Sequence, residues 1–386
     1  MRSILIAAAA AMIAAGPAMA QTDGVTDTEI VIGGHHDLSG PFAAFSAPAV
    51  KAVQQIFKEV NDAGGIHGRK LRYVVEDHGY QVPKAVQAVN KLVNRDKVFA
   101  MLLSLGTPHN LAAFKLQDRK GIPNVNPLSA ARQMLQEPLA LHYAGTASYY
   151  DQLRAAVKWM HDNKGVKTVC SMYIPSDFGK EIQLGTKEEA EALGIKYAAE
   201  TTHKPDETNY VGALGKLKAA GCQMISTALS IRGTITVVAT AKKIGWNDVI
   251  LVGSSAAFHT AIAKVPGGVT DGYWAAAGWQ DLEARAGDPE VAKWIASYTK
   301  ATGEKFPGTG ALLGASGAHL MIRALEAAGR DLTHESFQKA MESLEFDDHI
   351  MGNHVKMGPG DHLAADTIYL SQIQNGSWKT IGEVKK

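Results

Sequence analysis

The chain has 386 residues, and its 46% apolar content is sufficient for two domains that each enclose a hydrophobic core. Charged residues make up 20% of the chain and the formal net charge is only +1, so no polyanionic partner is indicated. No basic stripe is present either, which argues against a nucleic acid partner.

The first 20 residues have the pattern of a secretory signal peptide. Arg2 gives a positive start, residues 4–15 are apolar, and residues 18–20 read Ala-Met-Ala, a cleavage motif. The apolar run is too short for a membrane anchor. We therefore expect cleavage after Ala20, a mature chain that begins at Gln21, a periplasmic location and no direct insertion into a membrane.

Residues 30–75 predict a strand, a loop, a helix, a turn and a second strand. Val50, Val53, Phe57 and Val60 recur at the spacing of one helix face. The glycines at 64 and 65 supply the positive φ that ends a helix. This βαβ unit places its first loop, residues 35–42, at the carboxyl edge of a parallel sheet, where open α/β sheets bind ligands.

The alternation of strands and helices continues along the chain and then restarts. In the first run, strands are predicted at residues 98–103 and 123–126 and a helix at 83–95. In the second, strands are predicted at 167–173, 195–200, 224–229 and 249–252, with helices at 151–163, 210–219 and 234–244. This pattern predicts two doubly wound lobes with parallel sheets covered on both faces. Helices at 289–301, 310–328 and 333–343 precede a C-terminal hairpin.

Three stretches resemble the type I periplasmic solute-binding proteins of ABC importers, in particular the branched-chain amino acid (Leu/Ile/Val) binding family. They read IVIGGHHDLSGPFAAF from residue 30, VNDAGGIHGRKLRYVVEDHGYQVPKAVQAVNKLV from residue 60 and RKGIPNVNPLSAA from residue 119. The resemblance implies two Rossmann-like lobes joined by three hinge crossings. Residues 22–144 and 275–347 would form lobe one, and residues 145–274 and 348–386 lobe two. Permease subunits in the inner membrane would be the protein partners, and no cofactor is implied.

The resemblance also implies where a ligand carboxylate is held. In the family, a loop hydroxyl and backbone amides near a helix N-terminus bind this group, and such a terminus favours anions. Counting back from Gly121, the family's serine falls at Thr107. The next anchors fall at Leu128 and Ala130, so a family threonine is lost, although Ser129 lies between them.

Aromatic residues are expected around the cleft. The residue that covers the ligand falls at Phe45, with Phe42 nearby, and a tyrosine of the second lobe falls at Phe178. Tyr149 and Tyr150 are also expected close to the cleft. These side chains predict an apolar, aromatic binding site.

The loop after residues 224–229 departs from the family pattern. Where the amino acid binders carry a glutamate for the ligand ammonium, this chain has Arg232. An arginine repels an ammonium and can donate two parallel hydrogen bonds to a carboxylate. We therefore expect a small carboxylate ligand with an aromatic or apolar body, of the benzoate or hydroxycinnamate type. An aliphatic amino acid receptor and a sensor of amide-type ligands are the alternatives.

Neither catalysis nor metal binding is indicated. Gly314 to Gly317 resembles a nucleophile elbow only loosely and lies inside a helical pattern, so helix packing is the preferred interpretation. No H-E-x-x-H pair occurs among the fourteen histidines, so no metal site is expected. His36 and His109 lie in strand-to-helix loops and are predicted to line the pocket. For Cys170 and Cys222, the sequence is equally consistent with a disulfide and with two buried free thiols.

Overall fold

The first lobe is built on a five-stranded sheet in which every pairing is parallel. The computed structural model describes residues 22–384, so the predicted signal peptide and its cleavage site lie outside the described residues. The strands are β1 (Glu29–His36), β2 (Lys70–Asp77), β3 (Ala100–Leu102), β4 (Asn124–Val125) and β5 (His142–Tyr143), in the spatial order β2-β1-β3-β4-β5. The helices α1 (Ala43–Asp62), α2 (Val82–Asn94) and α3 (Thr107–Lys120) follow β1, β2 and β3.

The second lobe repeats this plan on another sheet. Its parallel strands are β6 (Thr168–Tyr173), β7 (Lys196–Thr202), β8 (Met224–Ala228), β9 (Ile250–Gly253) and β10 (Trp274–Ala277). Its helices are α4 (Tyr149–Lys164), α5 (Asp177–Ala192), α6 (Val211–Ala219), α7 (Ile231–Lys243) and the short α8 (Thr260–Ala263). The predicted α/β class with two doubly wound lobes is therefore confirmed.

Three helices then return to the first lobe: α9 (Pro289–Thr302), α10 (Thr309–Ala328) and α11 (His334–Met341). Helix α10 packs along α1, and Gly314 permits the close approach, because a Cβ at this position would lie 2.3 Å from the Ala49 carbonyl oxygen. Gly314 to Gly317 thus serves helix packing, as the sequence indicated. Within residues 22–384, none of the helices combines the length and apolar character needed to span a bilayer.

The chain ends by completing the second sheet. A hairpin of β11 (Glu345–Asp348) and β12 (Asn353–Lys356) precedes β13 (Ile368–Gln374) and β14 (Ser377–Val384), which join the sheet antiparallel through β10. Because β10 pairs with both β9 and β13, residues 275–277 lie in the second lobe. The sequence assigned these residues to lobe one, because the Ala-rich β10 gave no strand signal.

A disulfide joins Cys170 of β6 to Cys222, which lies just before β8. The two Cα atoms are 5.8 Å apart, and both residues are buried in the second lobe. This settles the question that the sequence left open. The bond lies away from the carboxyl ends of these strands, so it stabilises the lobe without touching the ligand site described below.

Replacing both cysteines with alanine should lower the free energy of unfolding by about 2–4 kcal/mol, because the disulfide restricts an unfolded loop of 52 residues. Denaturant titration of the wild type and the double variant measures this difference. A thiol reductant should destabilise the wild type and leave the variant unaffected. Equal stability of the oxidised wild type and the variant would contradict the prediction.

Candidate ligand-binding site

A cavity lies between the two lobes, at the carboxyl ends of the strands of both sheets. The volume that the centres of water molecules can occupy in it is about 70 Å³. Loops and helix starts after β1 to β6, β9 and β10 supply most of its wall, and α10 and the β11–β12 hairpin supply the rest. The lining residues are Phe42, Phe45, Tyr80, Leu103, Leu105, Gly106, Thr107, Asn126, Pro127, Leu128, Ser129, Ala130, Gly145, Thr146, Tyr149, Phe178, Ser255, Ala256, Trp279, Leu313 and Met351.

One part of the cavity wall is the N-terminus of α3. Gly106 is the N-cap with φ of +99°, and no side chain caps the helix. The buried hydroxyl groups of Thr107 and Ser129 lie 2.8 Å apart, and the Gly106 N–H donates to the Leu128 carbonyl oxygen. The structure thus brings Thr107, Leu128 and Ser129 together at the cavity. Free helix N–H groups beside two hydroxyls suit a small anion.

Aromatic side chains from both lobes form another part of the wall. Phe42 of the first lobe contacts Phe178 of the second, with ring centroids 6.1 Å apart, and Phe178 also packs on Tyr149 at 5.4 Å. Phe45 lines the cavity as well. Tyr149 lines it in place of Tyr150, whose hydroxyl donates to Glu188 on the outside of the lobe. Burial raises the pKa of Tyr149 to about 12, so its hydroxyl is neutral.

Besides Tyr150, three other residues predicted at the site lie elsewhere. Arg232 is exposed and does not line the cavity, because α7 already begins at Ile231 and Ser230 caps it. The predicted helix start at residue 234 had left Arg232 in the preceding loop. His36 and His109 are buried behind the wall and do not line the cavity either.

Several lining residues had no counterpart in the sequence-based prediction: Tyr80, Asn126, Thr146, Ser255, Trp279 and Met351. Asn126 and Thr146 follow the ends of β4 and β5, so the rule that ligands bind beyond strand ends identifies them once those strands are known. Trp279 and Met351 lie next to chain crossings whose positions depend on tertiary packing. All the lining residues named above are uncharged.

An ion pair joins the two lobes beside the cavity. Arg132, in the loop after β4, donates to Glu181 of α5 through its backbone N–H at 3.0 Å and through Nη2 at 2.8 Å. The guanidinium also lies 3.7 Å from the centroid of the Tyr150 ring. The Glu181 side chain is only 2% exposed. Since its members lie on different lobes, this ion pair forms when the cleft is closed.

Four histidines form a buried cluster beneath the site. His36 lies 2.7 Å from the Tyr73 hydroxyl, and the His78 and His109 rings stack at 4.4 Å. His35 packs beside His78, and its ring nitrogens have no hydrogen-bond partner among the described residues. Burial lowers the pKa of His36 and of His78 to about 3 and that of His109 to about 4, while the nearby Asp77 opposes the shift for the first two. Within residues 22–384, no cluster of potential ligands is suited to a metal ion.

A family model described as periplasmic binding protein matches residues 29–377. The chain therefore belongs to this family, and its resemblance to the type I, branched-chain amino acid branch is confirmed. An amino acid binding protein of Pseudomonas aeruginosa is 23% identical over 53% of this chain and 54% of its own length. The chain thus spans about half the length of such curated relatives.

Solved structures show the same fold over almost the full length. A fatty acid ABC transporter substrate-binding protein from Thermomonospora curvata has a TM-score of 0.84 at 26% identity, covering 95% of this chain and 93% of its own. A solute-binding protein of an ABC transporter from R. palustris, in complex with benzoate, has a TM-score of 0.81 at 18% identity, covering 92% and 96%.

The histidine cluster predicts loss of stability in acid. An unfolded histidine has a pKa of about 6.5, so below this pH the unfolded chain binds protons that the folded cluster excludes. The free energy of unfolding should therefore fall as the pH is lowered from about 6.5 to about 4. For His109 alone, the loss between pH 8 and pH 5 is about 2 kcal/mol.

Denaturant titrations of the wild type and His109→Phe at pH 8 and pH 5 measure this effect. The phenyl ring keeps an aromatic group in the stack but cannot take up a proton. The variant should therefore lose about 2 kcal/mol less than the wild type on acidification. An identical loss in both proteins would show that His109 does not couple folding to protonation.

Proposed function

We propose that this protein is an exported receptor of an ABC importer, which closes its lobes on a small carboxylate with an aromatic or apolar body. The observation that carries the proposal is an uncharged, largely apolar cavity that contains six aromatic side chains and has the uncapped N-terminus of α3 in its wall. The benzoate complex of a protein with the same fold supports this ligand class. The importer's permease subunits would receive the ligand.

Neutral groups are sufficient to hold the carboxylate. The N–H groups of Thr107 and His109 in the first turn of α3, and the hydroxyl proton that the pair of Thr107 and Ser129 leaves free, would donate to its oxygens. The helix dipole adds a favourable potential. The Phe42, Phe45 and Phe178 rings would cover the ligand body. In this arrangement Arg232 has no role. Neutral donors bind the carboxylate in place of the arginine that the sequence predicted.

The size of the cavity favours a compact ligand. The space open to the centres of water molecules is about 70 Å³, which holds several waters and therefore suits a small organic acid such as benzoate or a hydroxycinnamate.

An aliphatic amino acid is the second candidate, because curated relatives are amino acid binding proteins. Its ammonium group would need an anionic partner inside a closed cavity, since a buried unpaired charge is costly. Neither aspartate nor glutamate occurs among the lining residues. A carboxylate without an ammonium group is therefore the better match. The measurement below distinguishes a receptor for such an acid from a sensor of amide-type ligands.

Ligand-free protein should gain thermal stability with benzoate or hydroxycinnamate, because a ligand that binds only the folded state stabilises it. Benzamide, leucine and valine should give a much smaller shift. In calorimetry, Thr107→Val and Ser129→Ala should each weaken the acid by about 5- to 30-fold, corresponding to 1–2 kcal/mol for a neutral donor. Arg232→Ala, outside the cavity, serves as the control and should bind normally. Tight leucine or valine binding without acid binding would overturn the proposal.

The ion pair between the lobes provides a separate test of closure. Arg132→Met should weaken ligand binding by about 5- to 30-fold although Arg132 does not line the cavity, because closure then buries the Glu181 carboxylate without its cation at a cost of about 1–2 kcal/mol. Arg154→Met is the matched control, since Arg154 binds Glu189 at 2.6 Å with similar exposure but within the second lobe. This control should lower fold stability and leave the ligand Kd within about twofold. Equal effects of both variants on Kd would contradict a role in closure.

A further inference from the structure

A second polar patch on the cavity wall is formed by Asn126 and Thr146. Both residues line the cavity, at the ends of β4 and β5. Neither the Asn126 amide nor the Thr146 hydroxyl has a hydrogen-bond partner among residues 22–384. Both are therefore available to a ligand, whereas the pair of Thr107 and Ser129 uses one of its two hydroxyl protons in the hydrogen bond between them.

The surrounding backbone makes room for these two side chains. A Cβ on Gly145 would lie 1.8 Å from the Asn126 Oδ1, and a Cβ on Gly278 would lie 2.5 Å from the Thr146 Cβ. Asn126 has φ of +47°, a conformation that asparagine tolerates better than most residues. The two glycines thus leave space for the side chains of the patch, and the left-handed backbone of Asn126 sets the position of its amide.

On the side of Asn126, the patch extends beyond the groups assigned to the carboxylate. Asn126, Gly145 and Met351 also border a small adjoining cavity, whose wall contains Ser316, Asp348 and Asn353 but neither Thr107 nor Ser129. The Asp348 carboxylate is occupied, because it accepts the Ser316 hydroxyl and the N–H groups of residues 350 and 351. What remains for a ligand at this patch is a neutral amide and a hydroxyl.

We propose that Asn126 and Thr146 select ligands that carry a hydroxyl group on their aromatic or apolar body. This inference rests on the proposed function, because it assumes that the carboxylate binds at α3. A bound body without a hydroxyl would cover the Asn126 amide and leave it without a partner, which disfavours that ligand. Sites built to hydrogen-bond a substrate hydroxyl discriminate strongly against analogues that lack it.

Calorimetry on the ligand-free protein with matched pairs of benzoates tests this selection. The pairs are 3-hydroxybenzoate with 3-methylbenzoate and 4-hydroxybenzoate with 4-methylbenzoate, in which a methyl group replaces the hydroxyl at similar size. In at least one pair the wild type should bind the hydroxy acid about 10-fold or more tightly. Equal affinity in both pairs would overturn the inference and leave the proposed function intact.

Variants then assign the preference to residues. Asn126→Gly, which suits the positive φ, should reduce the preference to about threefold or less, and Thr146→Val should reduce it partly. Thr107→Val is the control, since it should weaken both members of a pair equally and retain their ratio. A preference that survives both Asn126→Gly and Thr146→Val would also overturn the inference. Failure of every benzoate to bind the wild type would instead reject the proposed function, and this inference with it.

Discussion

The site depends on the first turn of α3, which reaches the cavity without a side-chain cap. Its N–H groups belong to Thr107 and His109, because Pro108 has none, and among uncharged lining residues they favour the ligand anion that we propose. The surrounding groups follow from this constraint. The hydroxyls of Thr107 and Ser129 lie beside the helix end, and apolar rings cover the remaining space.

The cavity wall is complete only when residues of both lobes lie around it. Phe178, Ser255 and Trp279 reach the cavity from the second lobe, so a ligand contacts a complete wall only when the cleft is shut. The contact of Arg132 with Glu181 adds stability to the same state without touching the ligand. In the function that we propose, binding and closure are coupled, since each favours the conformation that the other requires.

The buried histidines show that this edge of the first lobe is not built for stability alone. His35, His36, His78 and His109 lie close together, and burial keeps their imidazoles neutral although Asp77 lies near His36 and His78. His35 and His36 end β1, His78 follows β2, and His109 lies in the first turn of α3. Side chains that destabilise the fold in acid therefore lie directly beneath the edge at which the cavity lies.

The sequence by itself determined most of the helices and strands and the edge of the sheets at which the cavity lies. The spacing of apolar residues is a local property, so it predicted the two α/β lobes, and the motif around residues 119–131 located Thr107, Leu128 and Ser129. Only the tertiary structure decided which side chains reach the cavity. A shift of α7 by one turn moved Arg232 to solvent, and the packing of β10 placed Trp279 in the wall. Side-chain direction at a helix start and contacts between distant segments depend on packing, which no local pattern records.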